Sequence, residues 1–123
     1  AMQTEIKLLD TYSAGEAVGL FNNNPFFTAV TVPANTYKGQ TQDIASFQGG
    51  ALLVANTKVP DEVVHQILTS MYNQEGLEYL VSVHNSAKSM ATETGLKGVV
   101  TPIHPGAVKF WQEKGLTIPE MAE

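Results

Sequence analysis

The stretch TVPANTYKGQTQDIASFQGGALLVANTKVPDEVVHQIL, Thr31 to Leu68, decides how this chain is read. It passes from a polar, turn-forming segment to a continuous apolar run and then to an amphipathic helix. Pro33 stiffens the entry to the polar segment, and Asn35 and Gly39 can adopt positive φ, so residues 33–42 read as an ordered crossing and not as a flexible linker. Ala51 to Ala55 (ALLVA) is unbroken and apolar, the pattern of a strand buried on both faces, and Gly49-Gly50 before it permit a bulge or a close backbone approach. Pro60 suits a first helical position and Asp61-Glu62 complement the positive end of a helix dipole. Val63, Val64, Ile67, Leu68, Met71 and Tyr72 follow at helical spacing, which sets His65, Gln66, Thr69, Ser70 and Asn73 on the opposite face.

Before this stretch, Glu5 to Leu9 alternates polar and apolar residues as a short strand does. Ser13-Ala14-Gly15-Glu16 matches a capping box, predicting a helix from about Ala14 to Phe21 that Asn22-Asn23-Asn24-Pro25 ends. Phe26 to Val32, rich in β-branched and aromatic residues and stopped by Pro33, reads as a strand. After it, Leu77, Leu80, Val81 and His84 give another helical stripe, and residues 86–91 can add a further turn or two. The last helix follows Pro105, with Ala107, Val108, Phe110 and Trp111 inward, Lys114 at its negative end and Gly115 beyond it.

Composition bounds the function. With 123 residues, 43% of them hydrophobic, the chain suffices for one domain with a real core or for pieces of two. Seven cations against twelve acids give a net charge of −5, which repels phosphate backbones and anionic lipid headgroups, so nucleic acid is not an expected partner. All seven cations are lysines, so the planar guanidinium fork that grips carboxylates at two points is missing. The lack of cysteine excludes disulfides, thiolate metal sites and a cysteine nucleophile. No apolar run approaches the roughly 20 residues that span a bilayer. Ala1-Met2 reads as a remnant of cloning, and the chain is expected to be a truncated piece whose upstream sequence, including any export signal, has been removed.

His65, His84 and His104 fall about twenty positions apart with no ligand-like pairing, so no metal site is expected. His65 reads as flanking an exposed helix face, His84 as ending a helix and His104 as capping or packing at a helix start. No serine sits in a G-x-S-x-G elbow, and the glycines form neither G-x-G-x-x-G nor a P-loop. Asp61-Glu62 are explained by the helix dipole, and Phe110-Trp111 by a core. The expectation is a non-enzymatic protein without a cofactor.

Three blocks carry a resemblance: Val32-Pro33-Ala34-Asn35-Thr36-Tyr37-Lys38-Gly39-Gln40, Val59-Pro60-Asp61-Glu62-Val63-Val64 and Pro102-Ile103-His104-Pro105-Gly106-Ala107. The first and third are fairly specific, the middle one is a general helix opening, and the likeness extends over about residues 26–116. In these blocks the chain resembles the C-terminal part of the TAXI family, the extracytoplasmic solute receptors of TRAP-type transporters. The resemblance implies an α/β chain forming part of a bilobed, periplasmic-binding-protein-like (type II) fold, with a short mixed sheet flanked by helices. Residues 3–33 would end the second lobe, 34–50 would be the hinge or crossing, and 51–123 would be the C-terminal part of the first lobe. It further implies a periplasmic or otherwise extracytoplasmic location in the full-length form, capture of a small organic acid or amino acid, and delivery to TRAP transporter membrane subunits. In such receptors most ligand contacts come from glycine- and hydroxyl-rich turns of the N-terminal half, which nothing here matches.

Chemistry selects Asn35, Thr36, Tyr37 and Gln40 as ligand-binding candidates, because neutral hydrogen-bonding groups on a crossing segment can orient a ligand in a concave site. The competing reading has Tyr37 packing over the hinge and Asn35 merely making a turn. The alternative function, from a different class, is an interaction or assembly module in which exposed sheet edges and apolar surface lead two copies to exchange elements as an intertwined homodimer.

Overall fold

The computed structural model describes residues 7–120, which divide into two compact units between Ala51 and Leu52. The N-terminal unit contains α1 (Thr11–Ala17), α2 (Leu20–Asn23), β1 (Phe27–Val32) and β2 (Ile44–Gly49). The C-terminal unit contains α3 (Asp61–Met71), α4 (Gln74–Val83), two 3-10 turns (Asn85–Ser89 and Thr92–Thr94) and α5 (Pro105–Glu113).

In the N-terminal unit, β1 and β2 form an antiparallel hairpin in a register running from Phe27 opposite Gly49 to Val32 opposite Ile44. This two-stranded antiparallel sheet stands where a mixed one was expected among the described residues. An aromatic cluster holds the helices to it: Tyr12 stacks on Phe21 at 4.8 Å, and Phe47 meets Phe21 and Phe27 edge-on at 5.6 and 4.9 Å. Such offset and edge-to-face pairs suit the ring quadrupoles. Gly15 is buried because the Phe21 and Leu20 side chains fill the space a side chain would need.

The helix expected over 14–21 is two shorter ones, because Gly19 takes a left-handed φ of 68° that no continuous helix accommodates. Its cap also differs from the expected Ser13-Glu16 box. Asp10 is the N-cap, accepting hydrogen bonds from the Ser13 backbone N–H and hydroxyl, both at 2.8 Å. The expected strand over 5–9 lies partly outside the described residues, and 7–9 form no regular structure.

Residues 34–50, expected to cross between lobes, here form the loop of the hairpin and its returning strand. The strand β2 has a weak signal in the sequence, because Ser46, Gln48 and Gly49 dilute its apolar alternation and its pairing comes from β1. The apolar run 51–55, expected to be a strand buried on both faces, is not one. It has no assigned secondary structure, and Leu53 and Val54 are 70% and 79% exposed. A strand buried on two faces needs neighbours that the two-stranded sheet does not supply.

The C-terminal unit is built on α3 and α5. Val64, Leu68, Phe110 and Trp111 form its buried centre, with Val59, Tyr72, Leu96, Ala107, Leu116 and Ile118 packed around it. The start of α3 meets the start of α5, and His65 and Tyr72 further along meet Glu113 and Trp111, so the two helices run side by side in the same sense. The inner stripe of α3 is narrower than its sequence suggests, since Val63 and Ile67 face outward. Pro60 is the N-cap of α3, one position before the expected first turn, and Gly115 takes a φ of 81° just past α5 as expected.

Candidate functional site

The loop of residues 33–43 brings Asn35, Thr36, Tyr37 and Gln40 together. Its backbone is closed by Asn35 N–H donating to the Gln40 carbonyl at 2.9 Å, Thr36 N–H to Pro33 at 3.2 Å and Gln40 N–H to Tyr37 at 3.1 Å. Asn35 and Gly39, at φ 64° and 85°, make the left-handed turns this path requires, and Asn is among the residues that tolerate that region best. Asp43 anchors the loop by accepting from the Ala34 N–H at 2.7 Å.

Gln40 is the bolt of this loop. Its amide NH2 lies within 3.1, 2.9 and 2.9 Å of the carbonyls of Val32, Pro33 and Gln42, and its Oε1 accepts from the Tyr37 N–H at 3.3 Å. An amide has two hydrogens, so the three acceptors share them. The Thr36 hydroxyl donates to the Pro33 carbonyl at 2.7 Å, which leaves its oxygen lone pairs as acceptors. Tyr37 is 42% exposed, and among the described residues no hydrogen bond to its hydroxyl is formed. Of the four candidates, Gln40 and Asn35 fix the loop's shape while Tyr37 and Thr36 present polar atoms from it. Nothing local in the sequence marks Gln40 as structural, because its acceptors lie two to eight residues away.

A second group of polar side chains lies on the C-terminal unit, between α3 and α5. His104, the N-cap of α5, accepts the Gly106 N–H on Nδ1 at 3.2 Å and donates from Nε2 to the Val59 carbonyl at 3.1 Å. In this arrangement Nδ1 is the acceptor and Nε2 the donor. The capping role read from sequence is thus the one adopted, and the same ring also ties the start of α5 to the residue before the cap of α3. His104→Ala removes both bonds and should lower stability by about 1–2 kcal/mol. His104→Asn, which can still cap, should restore part of that loss in urea titrations.

His65 and Glu113 meet at 2.8 Å. The hydrogen bond from His65 holds the Glu113 carboxyl below its usual range, and the nearby charges of His65, Lys109 and Lys114 act in the same direction. Asp10, in the other unit, is lowered by the Ser13 backbone N–H and then by its hydroxyl. A carboxyl whose folded pKa lies below its unfolded value contributes stability above the unfolded value and loses it as pH falls through the folded one. Melting temperature should therefore drop on acidification below the ordinary carboxylate range. Glu113→Gln and Asp10→Asn should each flatten that drop, and salt should shrink the Glu113 contribution because both partners touch water.

Two crevices lie on the C-terminal unit. One, of ≈150 Å³, is lined by Asp61, Glu62, His65, Gln66 and Lys109. The other, of ≈240 Å³, runs past Thr57, Asp61, Ile103 and His104. Both fall short of the roughly 300 Å³ at which sites begin to enclose organic ligands. Among the described residues no three His, Cys, Asp or Glu side chains converge as metal ligands, and no helix is long and apolar enough to cross a membrane.

These features describe a small α/β chain with a preorganised polar loop on its N-terminal unit and two small crevices on its C-terminal unit. Residues 2–115 match the model of the NMT1-like family, and the chain belongs to that family. The family is of the periplasmic-binding type, which bind substrates as receptors.

Proposed function

We propose that this chain is the latter part of an extracytoplasmic solute receptor of the TAXI kind, which captures a small organic acid or amino acid and passes it to the membrane subunits of a TRAP-type transporter. The observation that carries the proposal is the family match over residues 2–115, joined to the Pro33–Gln40 motif block within it. The loop's internal bonding supports a binding role. A loop already held by Gln40 and Asp43 loses little backbone entropy when a ligand touches it, so its exposed tyrosine contributes affinity at a reduced ordering cost. Lysines, amides and hydroxyls are the groups available to an anionic solute, since the chain has no arginine.

In this reading the protein is not an enzyme. The N-terminal unit completes the second lobe, the C-terminal unit belongs to the first, and ligand favours the closed arrangement of the whole receptor. The test is calorimetric titration of the full-length protein with a panel of amino acids and dicarboxylates. Binding to at least one, weakened about tenfold or more by Tyr37→Ala, supports the reading. Silence across the panel defeats it, and unchanged affinity in the Tyr37 variant removes the loop from the site.

A further inference from the structure

At the start of α5 one histidine nitrogen faces two partners that it cannot serve in the same protonation state. Nδ1 of His104 lies 3.2 Å from the Gly106 N–H, which needs an acceptor, and 3.7 Å from the Asp61 carboxylate, which needs a donor. Across the ring, Nε2 donates to the Val59 carbonyl at 3.1 Å, a bond that the neutral and the doubly protonated ring both make. The His104 side chain is 9% exposed and that of Asp61 63%, so the imidazole is held in place while the carboxylate has room to turn towards it.

We propose that His104 is a proton-driven latch between α5 and α3. The neutral ring caps α5 through Gly106. When Nδ1 takes up a proton, two N–H groups face each other and the cap is lost. The new N–H then pairs with Asp61, as a rotation of that side chain closes the gap to a charge-assisted hydrogen bond, while Nε2 stays anchored on Val59. Asp61 is the one titratable neighbour in the larger crevice, whose other walls beside His104 are the uncharged Ala55, Thr57, Ile103 and their flanking prolines. The positive dipole ends of α5 and α3 oppose a cation there, and the Asp61 carboxylate counters them. Glu62, His65 and Lys109 lie beyond Asp61, around the smaller crevice. Because Asp61 borders both crevices, the latch also decides whether its carboxylate is open to them or engaged. Gly106 packs against the Asp61 backbone, so the released amide sits at the contact between the two helices. None of this rests on the receptor reading.

The test is NMR of the full chain, following the His104 ring and the Gly106 amide together from neutral to mildly acid pH. As the ring takes up its proton, the Gly106 amide should shift with the same midpoint. Its protection from hydrogen exchange, corrected for the intrinsic rate, should fall about fivefold, the loss expected for one cap. The Asp61 carboxyl carbon should respond at that midpoint too. His104→Asn, which caps without titrating, should hold Gly106 protection constant over the same range. Asp61→Ala leaves the protonated ring without its acceptor and should deepen the fall in urea midpoint that accompanies protonation. Gly106 protection that stays constant while the ring titrates, a Gly106 response that persists in His104→Asn, or a urea midpoint whose pH dependence Asp61→Ala leaves unaltered would each overturn the proposal.

Discussion

Phe110→Ala should bring the C-terminal unit to the edge of unfolding at room temperature. Phe110 is 1% exposed, and its ring meets those of Trp111, Tyr72 and His65 at 4.9, 5.9 and 5.9 Å. Truncating a buried phenylalanine costs about 3–5 kcal/mol, the lost transfer free energy plus the cavity left behind. Whole domains retain only about 5–15 kcal/mol, and a unit with four buried core side chains falls at the low end of that range. Trp111 is the chain's one tryptophan and is 5% exposed, so its fluorescence reports this unit alone. The variant should show red-shifted emission without denaturant and a much lower urea midpoint. Native emission with an unshifted midpoint would contradict the account of the core.

Gly106→Ala should also destabilise, although alanine is the better helix former. In an exposed helix the exchange gains about 1 kcal/mol. At Gly106, in the first turn of α5, an added Cβ would run into the backbone carbonyl of Asp61 at the start of α3. Backbone cannot rotate away as a side chain can, so the two helix starts must separate and strain both the Val59–His104 bond and the packing below it. Overpacking of this kind costs about 1–3 kcal/mol and here outweighs the propensity gain. The expected result is a lowered urea midpoint by Trp111 fluorescence. Gly115→Ala provides the comparison: its cost comes from a left-handed φ with open space around it, not from a clash. A midpoint unchanged or raised in Gly106→Ala would show that α3 and α5 do not approach so closely.

Features set by neighbours in sequence were legible. The start of α5 at His104-Pro105, its end before Gly115, the periodic stripe of α3 and the strand before Pro33 all follow from chemistry within a few residues, and the structure has them. His84 likewise ends α4, where it also accepts from the Ser86 N–H to begin the next turn. The errors lie where two local signals compete or where a partner distant in sequence decides. Asp10 displaced Ser13 as the cap of α1, and Gly19 broke the helix that hydrophobic spacing had carried through it. Gln40, chosen for its free amide, is engaged by carbonyls on both sides of the loop. The bond between His65 and Glu113 spans 48 residues and left no local trace.

By itself the sequence determined where α5 begins and ends and, to within a residue, where α3 begins, together with the hydrophobic stripes that could be buried, the net negative charge and the motif blocks that lead to a receptor family. It could do so because caps, proline and glycine act through their own φ/ψ and through hydrogen bonds a few residues away. Only the tertiary structure decided which stripes find a partner. Hydrophobicity states that Leu52, Leu53 and Val54 are better out of water, but burial needs a second surface, and among the described residues none covers them while α5 covers Val64 and Leu68.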